Sequence, residues 1–134
     1  MTYNKIVDIS AVSRLTQLTE LVMIRNKIAD IKPIATLVNL QRLHLTGNSI
    51  DCIDALAELT KLQYLGVSSN RIVDASSVSG LVNLKQLGMS HNKIVCPVNF
   101  SNLTNLTILQ MHHNPIFDES VVGGLLANIQ KGVI

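Results

Sequence analysis

The run Leu40-Gln-Arg-Leu43-His-Leu45-Thr-Gly-Asn48-Ser-Ile50 decides the fold, because its pattern returns every 22 residues. Asparagine stands at 4, 26, 48, 70, 92 and 114. Upstream, Leu15, Leu37, Leu59, Leu81 and Leu103 keep the same interval, as do Leu18, Leu40, Leu62, Leu84 and Leu106. Leu21, Leu43, Leu65, Leu87 and Leu109 form a third column, and Met23, Leu45, Val67, Met89 and Met111 a fourth. Downstream come Ile28, Ile50, Ile72, Ile94 and Ile116, then Ile34, Leu56, Val78, Phe100 and Val122.

The spelling L-x-x-L-x-L-x-x-N-x-I has a direct physical reading. Apolar residues two apart point to one side of a strand, so both enter the core while their neighbours face out. Leucines three apart suit a tight helical return. An asparagine amide offers donors and an acceptor together, and can satisfy backbone groups where the chain leaves the strand. One such unit cannot bury its own apolar set; stacked units make a continuous core.

The longer run Asn26-Lys-Ile-Ala-Asp-Ile-Lys-Pro-Ile-Ala-Thr-Leu-Val-Asn-Leu40 resembles the 22-residue class of leucine-rich repeat found in bacterial internalins. A regulatory subunit of a protein phosphatase shares that class. The Pro33-Ile34 pair and the Leu37-Val-Asn-Leu40 step lean toward the internalin pattern. The likeness runs from residue 4 to about 122. It implies an α/β fold: a right-handed solenoid with a parallel β-sheet on its concave face. Short helical or 3-10 turns would line the convex side. It also implies a protein-binding role, since members of the class mostly bind partners on the concave face.

One domain over 1–134 is expected, with a partial repeat at 1–14 and full repeats at 15–36, 37–58, 59–80, 81–102 and 103–124. A terminal helix is expected over about 118–131, with Val121, Val122, Leu125, Leu126 and Ile129 on one face and Gly132 as its stop. Internalins carry a helical cap before their first repeat, and no such segment precedes Asn4. The chain therefore reads as part of a longer solenoid. Open ends favour self-association, more at the N-terminal edge than at the other.

Composition excludes several function classes. The net charge is +2, and Lys5, Arg14, Arg25, Lys27, Arg42, Arg71 and Lys93 are scattered, which argues against nucleic acid. No stretch has the apolar length for membrane insertion. The opening Met1-Thr-Tyr-Asn-Lys5 lacks a signal peptide's apolar core, a slight lean toward the cytoplasm over a surface or secreted location. No G-x-S-x-G, phosphate loop or H-E-x-x-H occurs, so no catalytic residue, no enzyme activity and no cofactor are expected.

The strands expected at 20–24, 42–46, 64–68, 86–90 and 108–112 would stack about 4.8 Å apart. Their outward columns give the candidate protein-binding surface: Glu20, Arg42, Tyr64, Gln86 and Ile108; Val22, His44 and Gln110; Ile24 and His112. Exposed Arg and Tyr beside apolar Val22 and Ile24 are the raw material of an interface hot spot. Gly66, Gly88, Ser68 and Ser90 should leave the middle flat for a partner's backbone. Lys61 and Lys85 fall outside the L-x-L segment, nearer the rim. A spacer segment in a longer repeat protein is the competing function, but a spacer needs no variety in its outward columns.

Asn26, Asn48, Asn70, Asn92 and Asn114 are read as a structural ladder. His91, His112 and His113 lie on adjacent rungs, but no cysteine or carboxylate shares their columns, and no metal is expected. Cys52 and Cys96 share a column two rungs apart, about 10 Å, too far for a disulfide. They are expected as free, buried or half-buried thiols standing where Asp8, Asp30 and Asp74 form turns. The sequons at Asn99, Asn102 and Asn105 follow largely from the repeat's own spelling.

Overall fold

A computed structural model describes residues 3–95 and 98–115. Five strands form one parallel sheet in chain order: β1 (Glu20–Val22), β2 (Arg42–His44), β3 (Tyr64–Gly66), β4 (Gln86–Gly88) and β5 (Ile108–Gln110). Register follows the repeat, with Leu21 opposite Leu43, Leu43 opposite Leu65, Leu65 opposite Leu87 and Leu87 opposite Leu109. Each strand advances one rung, and every crossover is one repeat long. The helix expected over 118–131, together with Cys96, Ile116 and Val122, lies outside the described residues.

The strands are shorter than the five residues expected. At their start one carbonyl accepts two consecutive N–H groups, as Gln41 O does from Gln63 N (2.8 Å) and Tyr64 N (3.1 Å). At their end the ladder bonds continue beyond the strand proper, from Met23 N to His44 O (2.9 Å) and Arg25 N to Thr46 O (2.8 Å). The chain then turns through a left-handed residue on every rung: Arg25, Gly47, Ser69, His91 and His113, with φ between 52° and 75°. Only Gly47 announces this column in the sequence. The other four side chains carry the modest steric cost of that conformation.

Opposite the sheet, the helical elements among the described residues are 3-10 turns: Ser10–Arg14, Lys32–Thr36, Asp54–Leu56 and Ser76–Gly80. Packed α-helices stand 8–10 Å apart, about twice the spacing of strands. A narrower 3-10 turn lets the convex side follow the sheet more nearly rung for rung. Pro33 opens the second turn, where a missing N–H costs nothing. Asp8, Asp30 and Asp74 each accept the N–H two residues on, from Ser10, Lys32 and Ser76 at 2.7–2.8 Å. Those bonds hold the Asp8 and Asp74 carboxyls below the usual carboxylate range. Cys52 replaces the aspartate in this column and is exposed, not half-buried, because the column faces outward.

The core is the stack of Leu, Ile and Val columns. Leu37, Leu59, Leu81 and Leu103 are completely buried, as are Leu43, Leu65, Ile50 and Ile72. Each such side chain contributes about 1.5–3 kcal/mol relative to leaving it in water. The same column is not equally covered on the first coil, where Leu15 is 52% exposed. The half-coil before it still joins the stack: Tyr3 N donates to Ile24 O (3.0 Å) and Lys27 N to Ile6 O (2.9 Å).

The asparagine ladder closes the turn. Asn70 Oδ1 accepts Ile50 N (3.0 Å) from the previous rung. Its Nδ2 donates to Leu45 O (3.1 Å), Val67 O (3.0 Å) and Ser68 O (3.2 Å). Asn92 repeats this with Ile72 N, Val67 O, Met89 O and Ser90 O. Asn48 and Asn114 bind in the same way, to Ile28 N and Ile94 N. Asn26 accepts Ile6 N. Every buried side-chain nitrogen and oxygen among the described residues has a partner. A second ladder on the outer side was not foreseen. Asn39, Asn83 and Asn105 each donate to a carbonyl one rung back, those of Thr16, Thr60 and Val82.

Candidate recognition surface on the sheet

Alternation along three-residue strands turns one side chain in and two out. The outward pair is bulky on β1 (Glu20, Val22) and β2 (Arg42, His44), while on β3 Tyr64 is paired with Gly66. His44 and Tyr64, on neighbouring rungs, meet edge to face with ring centroids 5.4 Å apart. Gly66 makes that contact feasible. A Cβ there would stand 2.7 Å from His44 Cδ2 and 3.2 Å from Tyr64 Oη. The sequence reading left Gly66 open to a partner's backbone. Instead the two rings fill that space, and Gly66 is buried. Only Gly88, where a Cβ would meet Ser68 Oγ at an ordinary 3.4 Å, keeps room on its rung.

Around the ring pair, Glu20, Val22, Arg42, His44 and Tyr64 line one recess of about 150 Å³. Arg42 and Tyr64 also border a second, of about 310 Å³, completed by Gln63, Lys85 and Gln86. Tyr64 is thus a wall shared by two hollows, with Arg42 beside it. Burial holds the His44 imidazole below its ordinary value, so its neutral form prevails at neutral pH. A neutral ring against the tyrosine edge leaves charge at this centre to Glu20 and Arg42.

The remaining candidates are spread more widely. Ile24 is half-buried, while Gln110 is exposed and Ile108 is 37% exposed on the last described rung. They do not line either recess. His112 is half-buried, with Nδ1 3.0 Å from Ser90 Oγ, and belongs to a separate corner. Gln63 went unnoticed, because it precedes its strand by one residue. Lys85 had been placed at the rim with Lys61, and the structure brings it into the second recess. Lys61 stays on the outer side, where Nζ donates to Asn39 Oδ1 (2.7 Å).

Among the described residues, no helix is long and apolar enough to cross a membrane. Residues 16–72 match the family model for the leucine rich repeat. No curated protein matches the sequence. Among solved structures, an internalin (inlF) of Listeria monocytogenes is 36% identical, with a TM-score of 0.89 over 95% of this chain and 38% of its own. Internalin C2 of the same species is 33% identical, with a TM-score of 0.81 over 88% of this chain and 52% of its own. A plant peptide hormone receptor, RGFR1, solved in complex with RGF2, is 30% identical with a TM-score of 0.72, covering 84% and 19%. The chain thus spans about two-fifths to one half of the internalin chains it matches. Rung spacing, the asparagine ladder and these likenesses together make it an internalin-like leucine-rich-repeat protein.

Proposed function

We propose that the chain is a non-enzymatic recognition module that holds a protein or peptide partner on the outward, concave face of its sheet. Glu20, Val22, Ile24, Arg42, His44, Tyr64, Gln86, Ile108, Gln110 and His112 form the contact face, with Gln63 and Lys85 added at its edge. The observation that carries this reading is the wall that Tyr64 and Arg42 make between two adjacent recesses. Tyrosine and arginine in partly enclosed positions are the residues on which interface energy concentrates. Solenoids offer such extended concave surfaces for binding. The plant receptor solved with its peptide hormone supports a peptide as one form of partner.

Selection of displayed random peptides against the chain tests this without knowledge of the natural partner. Enriched peptides should lose roughly tenfold or more in affinity on Tyr64→Ala or Arg42→Ala, a loss of about 1.4 kcal/mol or more. Lys61→Ala should leave them unchanged. A spacer would enrich nothing, or would enrich peptides indifferent to the sheet face, and either result would reject the proposal.

A further inference from the structure

Rungs four and five bring three histidines to one corner of the sheet. His91 and His113 hold successive left-handed positions, with φ of 54° and 57°. Their rings stack one rung apart, with centroids at 4.2 Å and planes within 13°. His112, in the outward column one residue earlier, sets its ring edge-on to both, at 5.3 and 5.1 Å. One ligand nitrogen from each of the three lies within 4.8 Å of the others. From this juxtaposition we propose that His91, His112 and His113 form a three-imidazole site for a borderline divalent transition metal, Zn²⁺ in the first place.

Neutral imidazole is a preferred donor for such ions, and three protein ligands with an open fourth position is an established zinc arrangement. The sequence argument against a metal rested on the missing carboxylate or thiol, yet three imidazoles are a sufficient donor set. Zn–N bonds of 2.0–2.1 Å place tetrahedral ligands roughly 3.3 Å apart. Nitrogens up to 4.8 Å apart therefore need to close by as much as about 1.5 Å, through turns of the exposed His91 and His113 rings.

His112 supplies the fixed point. When its Nδ1–H donates to Ser90 Oγ, 3.0 Å away, Nε2 carries the free lone pair. A metal-binding histidine is usually oriented by such a bond from its other nitrogen. Ser90 is itself buried and held, its N–H on Ser68 Oγ (3.1 Å) and its carbonyl on Ser69 N (2.8 Å). Behind the histidines, His91 N donates to His112 O (2.9 Å), and Asn92 and Asn114 anchor both turns. The backbone frame is hydrogen-bonded, and the exposed His91 and His113 rings are the groups that must turn. With His91 and His113 exposed, a fourth position on the metal would be open to water. This site goes beyond the partner-binding proposal and stands without it, although His112 takes part in both.

Calorimetric titration of the untagged chain with a zinc salt near neutral pH tests the site with no partner present. One equivalent should bind, and the ring resonances of His91, His112 and His113 should shift together while those of His44 stay in place. Each of His91→Gln, His112→Gln and His113→Gln should weaken binding roughly tenfold or more, with unfolding midpoints unchanged. Cys52→Ser should bind as the wild type does. Affinity should be lower in acid than at neutral pH, because protons compete with the metal for ligand nitrogens. Absence of a saturable equivalent, or binding that moves His44 equally, would overturn the proposal. So would binding that survives all three substitutions.

Discussion

On the inward side of β1 to β5, Leu21, Leu43, Leu65, Leu87 and Leu109 repeat one residue; on the outward side, Glu20, Arg42, Tyr64, Gln86 and Ile108 repeat none. Both columns ride on the same hydrogen-bonded rungs, so backbone geometry does not separate them. Surroundings do. An inward side chain meets its own copy above and below and must fill a space of fixed volume, which leucine fills at every rung. An outward side chain meets solvent and whatever binds there. Uniformity therefore reports packing, and variety is left free for recognition.

The largest effect should come from the uniform side. Leu81→Ala empties a fully buried position and should cost about 2–5 kcal/mol in urea denaturation. Leu15→Ala, in the same column but 52% exposed, should cost less than half as much. Equal losses would show that column membership, not burial, sets the energy. The ladder comes next. Asn70→Ala leaves Ile50 N without its partner, at about 1–3 kcal/mol, and takes one donor from Leu45 O, Val67 O and Ser68 O, which keep Asn48 Nδ2, Asn92 Nδ2 and Gly47 N. Asn83→Ala removes one exposed bond to Thr60 O and should cost about 1 kcal/mol or less. Gln86→Ala should lie within about 0.5 kcal/mol of wild type. Matching midpoints for the Asn70 and Gln86 variants would contradict the assignment.

The inward half of this comparison was legible in the sequence because each inward residue is dictated by its copies. Strand register and the bonded asparagines follow from the 22-residue spacing alone. The outward half was legible only as a set of columns. Spacing does not say that His44 and Tyr64 lean together over Gly66, since that depends on the particular rings present. Lys85 was misplaced because it precedes its strand by one residue, and spacing alone does not show that it lines the recess. The left-handed column was hidden because four of its five turns on the complete rungs use residues other than glycine. Neither that turn nor the three-residue length of the strands is recorded in the hydrophobic pattern.

A smaller effect sharpens the account of the ring pair. His44 has a lowered folded value, so the unfolded chain binds its proton more readily. The stability it contributes as a neutral ring is complete above about pH 6.5 and is lost as pH falls through the lower folded value. Denaturation midpoints should therefore fall more steeply on mild acidification for wild type than for His44→Gln. Parallel curves would place the ring in a more open setting than the structure gives it.

The central claim is that stability and recognition occupy opposite sides of the same strands. The direct measurement pairs a urea midpoint with affinity for a selected peptide in the Arg42→Ala/Tyr64→Ala double variant. Stability should fall by no more than about 1 kcal/mol, the scale of one aromatic edge contact. Peptide binding should be lost. Retained binding, or a stability loss as large as that of Asn70→Ala, would contradict the claim.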